Sequence, residues 1–300
     1  MIDANWEITS VIGLFVMPFV EFDFMQRALL GMLMLSVSTA PVGVFLMLRR
    51  MSLTGDAMAH AILPGAALGF LFAGLSVTAM TIGGLLAGSF VVLLSGLAAR
   101  KTDTNEDSSL AAFYLTSLAI GVMIISMSGS NVDLMNVLFG STLALDDTAL
   151  ILLLIICSIT LLTLAILYRP LVMECIDPDF LKSVSGYGAI AHFGFLMLVV
   201  LNLVSGFHAM GTLMSVGLMI LPATIARFWV KQLEPMILLA IVLAFFSCLV
   251  GLLLSYYISI PTSPTIIASL GLCYFVSVLT GRNNGVLSQW LGRKRKHLTA

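Results

Sequence analysis

The chain has 300 residues, 60% hydrophobic and 10% charged, with a net charge of -1. Soluble domains carry about 25% charged residues, so this composition excludes an ordinary soluble enzyme, and nothing in it points to nucleic acid. Apolar runs of about 17 to 25 residues, long enough to cross a bilayer as helices, nearly tile the sequence; the predicted fold is all-α, a polytopic membrane bundle of eight to nine transmembrane helices forming one domain over residues 1–300.

Residues 1–24 come first, with a short apolar stretch at 8–20 that is broken by Pro18 and reads as an interfacial helix. No Lys or Arg precedes residue 8, so the basic start of a cleaved signal is missing and these segments are expected to stay in the mature protein. Nine spans follow, predicted at 26–48, 57–74, 77–99, 110–126, 149–167, 190–204, 211–226, 236–257 and 265–279. Pro41, Pro64 and Pro222 fall inside spans, where loss of a backbone hydrogen bond favours a kink or a break. Gly65-Ala66-Ala67-Leu68-Gly69 and Gly84-Leu85-Leu86-Ala87-Gly88 have the small-residue spacing that permits close helix crossing.

Basic residues occupy alternate connections: Arg49 and Arg50, Arg100 and Lys101, Arg169 and Lys182, Arg227 and Lys231, and the tail at 282–300 with Arg293-Lys294-Arg295-Lys296. Those connections should face the cytoplasm, which places the N-terminus outside. Arg27, near the start of the first span, runs against that orientation. The outward loops, 129–147 and 259–263, carry no Lys or Arg. On the inner side the longest connection is 168–189, in which Asp177 is suited to cap a short amphipathic helix that begins at Pro178 and ends near Gly186. A helix that exposes Phe180 and Leu181 needs a partner surface.

The strongest functional signal lies at the start of the second span, where Asp56 and His60 stand four residues apart on one helix face. A carboxylate within a bilayer costs roughly 2.5 to 3.5 kcal/mol on insertion scales, so such a residue marks a pathway, a relay or an ion site. With the span starting near Arg50, His60 falls near the bilayer centre. The plainer alternative makes Asp56 a helix N-cap and His60 a bundle histidine bonded to a carbonyl. Only a neutral imidazole ligates, so metal binding here should weaken in acid. Two ligands make an incomplete site, which a symmetric dimer would double. His208 reads as a solvated loop histidine at the outer mouth, and His192 and Asn202 as interhelical hydrogen-bonding groups. The 18 methionines form no repeated Met-x-x-Met array and read as core filler. The four cysteines, Cys157, Cys175, Cys248 and Cys273, have no Cys-x-x-Cys spacing, which argues against a disulfide framework or thiolate cluster.

These segments resemble the integral-membrane permease of bacterial ABC importers for zinc, manganese or iron. The resemblance is carried by Pro41-Val42-Gly43-Val44-Phe45, by Arg49-Arg50-Met51 with Gly55-Asp56-Ala57-Met58-Ala59-His60, by Val132-Asp133-Leu134-Met135 with Leu138-Phe139-Gly140, by Asp177-Pro178-Asp179-Phe180, and by Gly211-Thr212-Leu213 with Ile220-Leu221-Pro222-Ala223-Thr224. It implies a type II importer-like helical fold in the bacterial cytoplasmic membrane. It further implies a homodimer with a path at the two-fold axis, surrounded by lipid, with a cytoplasmic ATPase on each inner face and a periplasmic or lipoprotein metal-binding protein outside. By analogy with that family, Asp56 and His60 become the metal-coordinating pair of the path. The inner loop, with Asp177, Pro178, Asp179, Phe180, Lys182 and Gly186, becomes the element that transmits ATPase closure. Residues 132–140 look most like the zinc branch, so zinc is the expected cargo, with manganese or iron as the alternative; no permanently bound cofactor is expected. No Gly-x-x-x-x-Gly-Lys-Ser/Thr phosphate loop occurs, so ATP hydrolysis by that machinery needs a partner and the chain is not expected to be an enzyme. A stand-alone proton-coupled transporter would show an internal repeat and no docking loop, and a membrane metalloenzyme would need a fuller ligand set such as His-Glu-x-x-His.

Overall fold

The structure is a computed structural model and describes residues 17–74, 76–102, 106–127, 145–176, 187–283 and 285–287. Nine long helices account for most of them: α1 Asp23–Leu48, α2 Ser52–Ala73, α3 Val77–Lys101, α4 Glu106–Met127, α5 Asp147–Ile176, α6 Tyr187–Met210, α7 Thr212–Trp229, α8 Leu233–Ile258 and α9 Thr262–Thr280. Each is long and apolar enough to cross a membrane. The described residues thus form the all-helical bundle that the apolar runs predict, with nine candidate membrane spans.

Several helices outrun the predicted spans by a turn or more, because a hydropathy window sees only the hydrocarbon part while polar end residues continue the helix in the headgroup region. Asp146 Oδ1 accepts a 2.9 Å hydrogen bond from the Ala149 amide and so caps the start of α5. At its other end α5 runs through Pro170 to Ile176. The connection predicted at 168–189 is therefore shorter than expected: 168–176 belong to α5 and 187–189 to α6. The helices continue through Pro41, Pro64 and Pro222, so of the kink or break expected at each proline no break occurs.

Two groups of buried side chains hold the bundle. One joins α1 to α7, α8 and α9 through Met32, Leu35, Met214, Leu218, Ala244 and Leu270. The other joins the end of α1 to α2, α3, α5 and α6 through Phe45, Met58, Val92, Leu171, Phe195 and Val199. The α2–α3 contact is the closest. A Cβ at Gly65 would overlap the carbonyl oxygen of Gly83, and one at Gly69 would overlap that of Ala79, so the expected small-residue crossing is met at backbone distance. Asn202 on α6 donates to Thr160 Oγ1 on α5 across 3.0 Å, the interhelical bond expected of it.

The charged helix ends sort by side. Arg49, Glu174 and His192 meet at one end, where Trp229 Nε1 also donates to Ser277 Oγ. At the other end Ser263 Oγ donates to the Met210 carbonyl, and Arg27 pairs with Asp147 at 3.2 Å. Arg27, the residue that ran against the outward N-terminus, thus has its charge countered locally. The α1–α2 turn at the first end is tight. Arg50 has φ 60, a left-handed backbone that costs a non-glycine residue about 1 kcal/mol.

Candidate functional site

Helix α2 begins at Ser52, so at about 1.5 Å rise per residue His60 lies roughly 12 Å along it, nearer the basic end than the mid-depth expected. Asp56 is not an N-cap; it is the fifth residue of the helix, and its backbone is already helical. The first-turn neighbour Thr54 donates instead to Asp107 Oδ1 of α4, at 3.5 Å.

The i and i+4 spacing brings Asp56 Oδ1 and His60 Nε2 to 3.9 Å. That is too long for a hydrogen bond. A cation bound to both at about 2 Å would lie almost on the line between them, so a shared ion at ordinary angles requires the two side chains to draw closer. The imidazole lies 6.3 Å from the Tyr114 ring of α4 at an interplanar angle of 25°, a stacked arrangement that fixes its plane. Its Nδ1 is buried with no hydrogen-bond partner among the described residues, so the nitrogen turned toward Asp56 is Nε2. Tyr114 was not legible as part of the site from sequence, because it is 54 positions from His60 and arrives only through the α2–α4 contact.

The carboxylate looks outward from the bundle. Asp56 keeps 62% of its side-chain surface and His60 33%, while Leu53, one turn before, is 87% exposed. Among the described residues, helix α4, which flanks this stripe, packs mainly on α2 and α3 and leaves Leu115, Thr116, Ile120 and Met123 uncovered. A single chain thus presents an acid and an imidazole on an otherwise apolar outer face. Among the described residues no grouping of three or more His, Cys, Asp or Glu side chains could hold a metal.

Of the other expected functional residues, Asp177, Pro178, Asp179, Phe180, Lys182 and Gly186 lie outside the described residues, as do 132–140. His208 is not in a loop: its backbone belongs to the last turn of α6. His192 does bond between helices, but its partners are charged. Its Nδ1 is 2.9 Å from Arg49 Nη2 and 3.2 Å from Glu174 Oε1, and Arg49 also donates to that same carboxylate oxygen. Arg49 entered the sequence reading as an orienting charge and as part of the Arg49-Arg50-Met51 segment, and Glu174 as part of a loop. The signal for both was their place on either side of helix ends that must pack.

The sequence profile of the ABC 3 transport family matches residues 21–281. Among similar proteins, the manganese import system permease protein ScaB of Streptococcus gordonii is 31% identical over 88% of this chain and 93% of its own. The chelated iron transport system membrane protein YfeD of Yersinia pestis is 28% identical over 87% of this chain and 86% of its own. Among solved structures, PsaBC from Streptococcus pneumoniae in complex with Fab contains a chain that superposes with a TM-score of 0.81 at 26% identity, covering 93% of this chain and 99% of that one.

Proposed function

The chain belongs to the ABC 3 transport family, and from that premise we propose that it passes manganese or iron across the membrane between two copies of itself, with Asp56 and His60 of each copy lining the path. It is a multi-pass bacterial membrane permease of a metal ABC importer, a transport subunit rather than a catalyst. Membership implies an ATPase partner and a metal-binding protein partner. The ATPase docks on the basic end and the binding protein on the opposite one, by the positive-inside rule.

The observation that carries the reading is the exposed pair itself. An acid 62% exposed on a membrane-spanning helix, beside a stacked imidazole and an uncovered Leu53, is costly against lipid. A second copy related by a two-fold axis would cover this face and bring two carboxylates and two imidazoles around one axis. Four oxygen and nitrogen donors with room for water suit manganese or iron(II), and the incomplete set within each chain lets the cation leave.

Zinc was the cargo expected from residues 132–140. Manganese and iron replace it here because the relatives above are named for those metals and an Asp–His pair accepts either. Radioactive manganese uptake by cells expressing the chain with its ATPase and binding protein tests the choice. Excess iron(II) should suppress the uptake and equimolar zinc should not; strong suppression by zinc with no response to iron would return the cargo to zinc.

A further inference from the structure

Arg49, Glu174 and His192 form a largely buried ionic cluster at the basic end, with 6%, 12% and 16% of their side chains exposed. The site above does not use it. Arg49 rests over the Phe195 ring, 4.8 Å from its centroid, and Phe195 in turn meets Phe45 edge-on, so the cluster sits on a fixed aromatic bed. Its three members come from three helix ends. Glu174 is the third residue from the end of α5, and His192 is the sixth residue of α6, so they flank residues 177–186 on either side. Arg49 is the C-cap of α1 and leads directly into α2.

The turn from Arg49 into α2 is rigid. Its amides are bonded back in sequence: Arg49 to the Phe45 carbonyl, Arg50 to Met47, Met51 to Leu46 and Thr54 to Met51. Asp56 follows two residues after Thr54. A displacement of the α5 and α6 ends therefore reaches Arg49 through its charged partners and reaches Asp56 through a turn with little freedom to absorb it. The cluster is also incompletely satisfied: Arg49 Nη1 and Glu174 Oε2 are buried with no hydrogen-bond partner among the described residues. A partly satisfied buried network gains from rearrangement, which suits a joint with two positions.

We propose that the Arg49–Glu174–His192 cluster is the mechanical link by which an ATPase-driven displacement of the ends of α5 and α6 is transmitted to the Asp56–His60 helix. The three are positioning residues and touch no metal. The proposal rests on the importer reading above, and its test separates the two. Removing one charge leaves the other buried and unpaired, whereas removing both leaves none, so the double variant guards against simple misfolding.

The complex with its ATPase and binding protein is reconstituted in vesicles, and manganese imported per ATP hydrolysed is measured for wild type, Glu174→Gln and Arg49→Gln/Glu174→Gln. Manganese bound by the same preparations is measured alongside. The link requires that import per ATP fall by about tenfold in the variants, the size of an ordinary coupling free energy, while ATP hydrolysis and manganese binding persist. An unchanged ratio overturns the proposal alone. So does a double variant in which binding, assembly and hydrolysis all fall in parallel, because that is the mark of a merely structural cluster. A wild-type complex that imports no manganese, iron(II) or zinc when each is supplied in turn overturns the importer reading and this proposal with it.

Discussion

At the scale of single residues, Asp56 and His60 are legible from sequence because helix geometry alone puts i and i+4 on one face, and the structure adds only their separation of 3.9 Å. What sequence leaves hidden is which other side chains reach them. Tyr114 stacks on His60 through a contact between two helices that no local pattern encodes. The imidazole should therefore depend on it. His60→Ala is expected to abolish manganese binding by the purified complex, whereas Tyr114→Ala, which frees the ring without removing the ligand, should weaken binding about tenfold, or about 1.4 kcal/mol. Calorimetric titration reads both, and equal loss in the two variants would show that Tyr114 does more than orient the ring. The Arg49–Glu174 pair was hidden for a related reason. Glu174 looks like a loop residue until α5 is seen to continue past Pro170, held there by buried Leu171 and by Arg49 itself.

Helix by helix, the apolar runs locate the spans because a bilayer of fixed thickness demands a run of fixed length. Their ends are harder to read, since charged residues such as Asp23, Glu106 and Asp147 extend helices beyond the hydrocarbon. The packing of one helix on another follows the small residues only in part: Gly65 and Gly69 meet α3 at backbone distance, whereas Gly84 and Gly88 face Ile62 and Val200 side chains. That difference orders the effects of substitution. Gly65→Val drives a branched side chain into the Gly83 carbonyl and should cost about 1–3 kcal/mol, as overpacking does. Asn202→Ala gives up one interhelical hydrogen bond and should cost only about 0.6 kcal/mol. Melting of the detergent-solubilised protein, followed by fluorescence size-exclusion after heating, should show a large fall for the first and a small one for the second; the reverse order would mean that the α2–α3 seam is not the tight one.

For the whole molecule, the helical bundle and its family follow from sequence, whereas the proposed two-fold assembly entered only through the family resemblance. A two-fold axis leaves no trace in the sequence of one chain. What favours the proposed axis in the structure is the outward-facing acid beside Leu53 and the uncovered flank of α4. The same logic explains why the cluster behind α2 matters. On the proposed path, lined by a pair from each copy, displacement of α2 would move the lining, and α2 is tied through Arg49 to the ends of α5 and α6. All of this depends on the metal passing between Asp56 and His60. The most direct measurement is uptake of radioactive manganese in cells that depend on this complex, comparing wild type with Asp56→Ala at equal membrane abundance. Uptake by wild type and background counts in the variant are expected; uptake undiminished in Asp56→Ala would place the path elsewhere in the bundle.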